Sequence, residues 1–247
     1  MESWMGHTCI LCPAADSMIE AIDNRYGEYF CAIVIHDGFF AEPCPPHPVP
    51  SCAASSPGAF SEDFRCPTGL SYSAMVPNGP ATLVTAMISR RHFTTDPLKY
   101  RGQWQSYVDT IVNENAVASM HFNHAYNAST RQIVASVNGT WLQNYNGTVN
   151  VAIFLKEDGL VGWQENGTSC DSQYVFNEVL RDCINTPGSV TGVQLLNGQN
   201  VPGAVYQYNM AGTYTVASNL NASNCELVAM IYDVNTGDIL QAWEEDL

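Results

Sequence analysis

The sequence predicts an α+β chain. Residues 1–115 read as a unit in which strands and helices alternate, and residues 116–247 as an antiparallel, immunoglobulin-like β-sandwich. Three observations carry this prediction. A Cys-x-x-Cys pair, Cys9 and Cys12, opens a stripe of apolar residues at helical spacing. FCAIVIH, Phe30 to His36, is an unbroken apolar run, as expected of a strand covered on both faces. Beyond Asn115 the hydrophobic period falls to two.

The elements follow in order. From Cys12 to Tyr26, Ala15, Met18, Ile19, Ile22 and Tyr26 recur on one helical face, and Gly27 stands where a helix would end. The run Phe30–His36 supplies the next strand. A Cys- and Pro-rich insertion, AEPCPPHPVPSCAASSPG, comes after it, and Ala81 to Ile88 is a further strand candidate. Trp104, Tyr107, Val108, Ile111 and Val112 form a helical stripe between Tyr100 and Asn115. In the second portion VASMHFNHAY, TRQIVASV, GTVNVAIFLK, GTYTVAS and CELVAMIYD alternate or run apolar over strand lengths. Asn-Gly pairs at 138–139, 146–147, 166–167 and 197–198 suit tight hairpin turns, and strands so spaced imply a sandwich. SQYVFNEVLRD reads as a short helix across an edge.

A chain of 247 residues with 46% hydrophobic composition can bury a substantial core. Acids outnumber bases 24 to 9, giving a net charge of −15 that disfavours nucleic acid and anionic lipid surfaces as partners. Nine cysteines point to an oxidising compartment. No apolar run is long enough to span a bilayer. A Cys-x-x-Cys at a helix start normally hangs from a buried strand, yet only a few residues precede it here. The expectation is a clipped strand in a mature or truncated chain, its export signal and any outer-membrane anchor lost upstream.

The dithiol carries the chemistry. Unpaired N–H groups and partial positive charge at a helix start stabilise a thiolate at Cys9, and the spacing lets Cys12 resolve a mixed disulfide. With a following helix and an apolar strand, the motif indicates a thioredoxin-like fold. The alternatives are a locked Cys9–Cys12 disulfide or a soft-metal site formed with His7 and His36, although the spacing is not that of a closed zinc site. No organic cofactor is indicated. Cys44–Cys52 and Cys170–Cys183 are candidate bridges closing short loops, and Cys31–Cys66 a third, which leaves Cys225 as a buried thiol. The five Asn-x-Ser/Thr sequons read as turns. Glu157 and Asp158 read as solvent-facing turn residues, and His121 and His124 fall on opposite faces of a strand, so neither pair suggests a hydrolytic or metal centre. Trp141, Tyr145, Trp163, Tyr206 and Tyr208 are either core or a binding face.

The ordered set GHTCILCP, AIVIHDGFFAEP, EDFR, VTAMISR, EDGLVGWQ, QYVFNEVLR and GDILQAWEE resembles the Bacteroidetes outer-membrane protein 28-like family and covers nearly the whole chain. The resemblance implies a thioredoxin-like domain followed by a β-sandwich-like region in an outer-membrane or surface-associated protein, with adhesin and redox roles both suggested. The chain departs from thioredoxin practice at two places. Thr8 stands where active thioredoxins carry Trp, and the cis-proline that faces the dithiol corresponds to Val84 or, in a shifted alignment, to Pro80. These departures favour binding or adhesion towards a protein or surface ligand, with extracytoplasmic thiol–disulfide exchange through Cys9 and Cys12 as the alternative.

Overall fold

The computed structural model describes residues 1–76 and 84–247. It has an α+β fold, mostly strands with few helices. Strand β1 (Glu2–Met5) leads through a tight turn into α1 (Cys12–Tyr26), and β2 (Ile33–His36) returns parallel to β1 with Trp4 opposite Ile35. Pro13 lies in the first turn of α1, where its missing N–H costs nothing. Cys12, Ala15, Ile19 and Ile22 form its buried face, and Gly27, at φ 48°, ends it. Helix α2 (Pro67–Met75), unassigned from the sequence, starts on Pro67 and is capped by the Cys66 sulfur, which accepts from the Gly69 amide. Strands β3 (Thr85–Met87) and β4 (Leu98–Tyr100) form an antiparallel pair beside β1. Helix α3 (Trp104–Val112) follows and coincides with its apolar stripe, a 3-10 turn at Arg101–Gln103 joining it to β4.

The remaining strands are β5 (His121–Asn127), β6 (Gln132–Thr140), β7 (Tyr145–Glu157), β8 (Leu160–Asn166), β9 (Ser169–Phe176), β10 (Val179–Cys183), β11 (Val193–Asn200), β12 (Val205–Asn209), β13 (Tyr214–Thr215), β14 (Cys225–Asp233) and β15 (Ile239–Asp246). Among the described residues they complete three sheets. A nine-stranded sheet runs β15-β14-β7-β10-β2-β1-β3-β4, with β11 also on β7; a four-stranded sheet joins β5, β12 and β13 to β6; and β8 and β9 pair only with each other.

The large sheet does not stop at residue 116. Strand β10 joins β2 in parallel, Val179 opposite Val34, and lies antiparallel to β7 on its other side. The two patterns in the sequence therefore share one sheet rather than forming separate stacked modules. Period-two burial explains how. Along β7 and β14, Val149, Val151, Ile153, Leu155, Leu227, Ala229 and Ile231 face a core shared with β5 and β6. Ala152, Phe154, Val228, Met230 and Tyr232 face a second core with Trp4, Ile33, Ile35 and Tyr72. Beneath β1 and β2, Met5, Val34 and Ala86 pack on α1 and α3 in a third.

Two expectations are corrected. SQYVFNEVLRD forms β9 and β10, joined at Glu178, whose φ is 62°. Its alternating burial is that of strands, not of an edge helix. Of the four Asn-Gly pairs, only Asn166-Gly167 makes a turn. The other three lie inside β6, β7 and β11. At Gly139 a Cβ would stand 2.0 Å from the Ser119 carbonyl oxygen and 2.6 Å from the Tyr206 hydroxyl, so close approach rather than a turn selects glycine there.

Candidate functional site

Strand β1 delivers Gly6-His7-Thr8-Cys9 into a cleft between two other segments. On one side runs the insertion after β2. Any Cβ at Gly6 would lie 2.4 Å from the Phe40 backbone, which permits Thr8 to donate to the Phe40 carbonyl from both its amide (3.1 Å) and its hydroxyl (3.0 Å). His7 Nε2 donates to the Glu42 carbonyl at 2.8 Å, and its ring meets Phe60 edge-on at 5.4 Å. Burial lowers the His7 pKa, with the Glu42 carbonyl opposing. On the other side runs β8. The Glu165 amide donates to the His7 carbonyl at 2.8 Å, and Gln164 Nε2 donates to the Cys9 carbonyl at 3.0 Å.

Both sulfurs are consequently covered: Cys9 is 4% and Cys12 1% exposed, whereas Ile10 and Leu11 between them are 51% and 54% exposed. Both cysteines are thiols in this structure rather than a locked bridge. Cys12 is the first residue of α1, and its amide donates to the Cys9 carbonyl at 3.1 Å. A hydrogen bond from the Cys12 thiol, helped by amides at the helix start, holds the Cys9 thiol below its ordinary pKa against the opposing effect of burial. Burial pushes Cys12 far up.

One turn along α1, Asp16 accepts a hydrogen bond from the Tyr174 hydroxyl of β9, and burial raises its carboxyl to about 6. His36, at the end of β2, is 3% exposed. Phe64 and Phe176 flank it edge-on at 5.5 and 5.6 Å, and neither ring nitrogen has a hydrogen-bond partner among the described residues. Burial lowers its pKa to about 3. Met5, Cys12, Asp16, Val34, His36, Gln164, Phe176 and Asn177 line a cavity of about 10 Å³, which admits nothing much larger than a water molecule.

Val84 is buried in the apolar cluster that also contains Cys9 and Cys12. Its φ of 71° is incompatible with proline and rare for a β-branched side chain. Pro80 lies outside the described residues.

The disulfide of this structure is Cys52–Cys170, with Cα atoms 5.7 Å apart across 118 residues of sequence. It replaces the expected Cys44–Cys52 and Cys170–Cys183 bridges. The turn at Ser51–Ala53 packs on β9, whereas Cys183 is carried away into β10. Cys44 is a buried thiol in the cluster that contains Cys170. Cys183 hydrogen-bonds to Asn185 and Thr186. Cys31 and Cys66 remain thiols, as does Cys225.

His7 and His36 do not gather with the thiols as a metal set. Among the described residues, the trio whose ligand atoms lie within 4.8 Å of one another is Glu178, Glu226 and Glu244. Lys156 fills that cluster: its ammonium contacts Glu178 and lies 2.7 Å from both Glu226 and Glu244. Trp141 stacks on Tyr145 with ring centroids 5.0 Å apart, and Trp141 and Tyr206 are buried, so these aromatics are core. Glu157, expected in solvent, is 2% exposed; it accepts from the Asn221 amide and pairs with Arg181. Sequence reasoning found the dithiol and missed its cover, since Gln164, Glu165 and Tyr174 reach it from a distant hairpin without a local motif.

No known family profile matches the chain, and no curated protein does. Among solved structures, HBP35 of Porphyromonas gingivalis matches 100% of this chain and 74% of its own length, with a TM-score of 0.67 and 11% identity. A domain of the outer membrane lipoprotein Omp28 from the same organism matches 54% of this chain and 90% of its own length, with a TM-score of 0.33 and 20% identity. The first likeness extends over the full chain and is one of fold.

Proposed function

We infer that the chain is an extracytoplasmic, envelope-associated protein of thioredoxin-like fold whose primary role is binding a protein or surface ligand. The carrying observation is the state of the dithiol surface. Both cysteines are buried and the segment that carries Cys9 is hydrogen-bonded on two sides, while Ile10, Leu11, Phe39 and Phe40 on the adjoining segments are 51%, 54%, 60% and 39% exposed. Apolar side chains held outward around a closed redox motif suit contact with another polypeptide better than constitutive turnover.

The thioredoxin-like reading is supported by β1–α1–β2 with parallel strands and by β3–β4 antiparallel beside β1. The four-stranded sheet sharing a core with β7 and β14 supports the sandwich-like reading of the remainder. The Cys52–Cys170 disulfide supports an oxidising location. No helix among the described residues is long and apolar enough to cross a membrane.

The test is binding of the full chain to arrays of extended apolar peptides, compared with Ile10→Ser/Leu11→Ser/Phe39→Ser. Loss of at least tenfold in affinity supports the reading, and equal retention by both chains defeats it. The depressed Cys9 thiol at the start of α1 favours thiol–disulfide exchange as the second reading. Insulin reduction by the full chain but not by Cys9→Ser supports exchange. A couple poised below about −300 mV, with no turnover, defeats it.

A further inference from the structure

Among the described residues, the hairpin of β8 and β9 pairs with neither larger sheet. Its base springs from the adjacent strands β7 and β10 through two short links, each with a residue at positive φ: Gly159 at 68° and Glu178 at 62°. Its outer half lies on the dithiol segment, where Gln164 and Glu165 bond the Cys9 and His7 carbonyls, and further in Tyr174 bonds Asp16. Opposite Glu165, Cys170 is tied by disulfide to Cys52 in the insertion after β2. The hairpin is thus held at its base by the chain and at its outer end by the disulfide, which lies beside the contacts that Gln164 and Glu165 make with the Cys9 segment.

The two sulfur sites differ in access. Cys52 is exposed, whereas Cys9 is 4% exposed. The clasp is therefore open to an external reductant while Cys9 is closed to external reagents. We propose that the Cys52–Cys170 disulfide is a redox clasp that keeps the β8–β9 hairpin over Cys9, and that its reduction by an external dithiol unmasks the Cys9 thiol. One thiolate of that dithiol attacks Cys52 Sγ, forming a mixed disulfide and releasing Cys170 as a thiolate, which takes up a proton. The second thiol of the reductant then displaces Cys52 Sγ, losing its own proton as Cys52 gains one. The reductant leaves as a disulfide, having supplied two electrons. With its tip free, the hairpin turns on the Gly159 and Glu178 links and withdraws Gln164 from Cys9. The exchange reading gives this clasp its use; its test does not depend on that reading.

The experiment uses the full chain carrying Cys12→Ala, so that Cys9 cannot be hidden in a bridge with its neighbour. N-ethylmaleimide labelling of Cys9 is followed by peptide mass spectrometry without reductant, with the clasp intact and with Cys52→Ala/Cys170→Ala added. At least tenfold faster labelling of Cys9 in the unclasped chain is expected, and equal rates in two folded chains overturn the proposal. Should the unclasped chain fail to fold, the Cys12→Ala chain is titrated with dithiothreitol, and Cys9 labelling is compared with the fraction of clasp reduced. Labelling that tracks clasp reduction supports the proposal; labelling of Cys9 while Cys52–Cys170 is still oxidised overturns it. Absence of insulin reduction would defeat the exchange reading and leave this result unchanged.

Discussion

Replacing Glu2 by Gln tests how the two halves of the large sheet are held together. Glu2 on β1 is 1% exposed and Arg90, just beyond β3, 2%. The guanidinium donates to the carboxylate through Nε at 2.8 and 3.1 Å and through Nη2 at 2.7 Å. Tyr72 of α2 donates to the same carboxylate at 2.8 Å, and Arg90 also lies over the Tyr232 ring of β14, 4.8 Å from its centroid. Glu2→Gln keeps the shape and the oxygen acceptor but leaves a buried cation unpaired. Removing one partner from a buried pair costs about 3–5 kcal/mol. For a chain of this size each kcal/mol lowers Tm by about 2–4 °C, so a fall of about 6–20 °C is expected by calorimetry. Glu2→Leu/Arg90→Met removes both charges and should recover most of the loss, giving a coupling energy of several kcal/mol in the double-mutant cycle. A Glu2→Gln chain within about 1 kcal/mol of the parent would refute the reasoning.

Lys156→Met leaves Glu178, Glu226 and Glu244 facing one another. Burial already lifts Glu178 to about 7 despite Lys156, so the variant's urea-unfolding deficit should be largest near pH 8 and shrink as these groups protonate on acidification. Asp16→Asn tests the buried carboxyl beside the dithiol. The folded Asp16 holds its proton up to about pH 6, above the usual carboxylate value, so its burial costs stability progressively as pH rises from about 4 to 6. The variant should therefore be the more stable chain at pH 7.5, by up to about 3 kcal/mol, and the gap should close near pH 4. Gly139→Ala should lower stability by about 1–3 kcal/mol or more, because Ser119 backbone stands in the way of the methyl group; an unchanged Tm would show that β6 has room to move.

What could be read from the sequence was local. Helix α1 begins at Cys12 and ends at Tyr26 as its apolar stripe and Gly27 indicate, and β2 lies within its apolar run. Strands β5, β6 and β14 follow the period-two segments, and Cys9 with Cys12 stood out as a motif. What escaped was set by distant partners. The parallel pairing of Val179 with Val34 leaves no trace in either strand's composition. Three of the four Asn-Gly pairs took their glycine for strand interiors, a need indistinguishable in sequence from that of a turn. Cysteine spacing suggested short loops, whereas the bridge formed is the long-range one between Cys52 and Cys170. The dithiol was therefore visible but not its cover, because Gln164 carries no motif of its own.

The placing of β10 between β7 and β2 also bears on how the chain is made. During synthesis the early strands β1 to β4 emerge with one flank of β2 lacking its neighbour, and that flank is completed only after Val179 has been made. Until then an apolar strand edge stands open to pairing with other chains. Folding should therefore wait on the late-emerging segment, and a gene cut at residue 115 should yield an aggregating fragment.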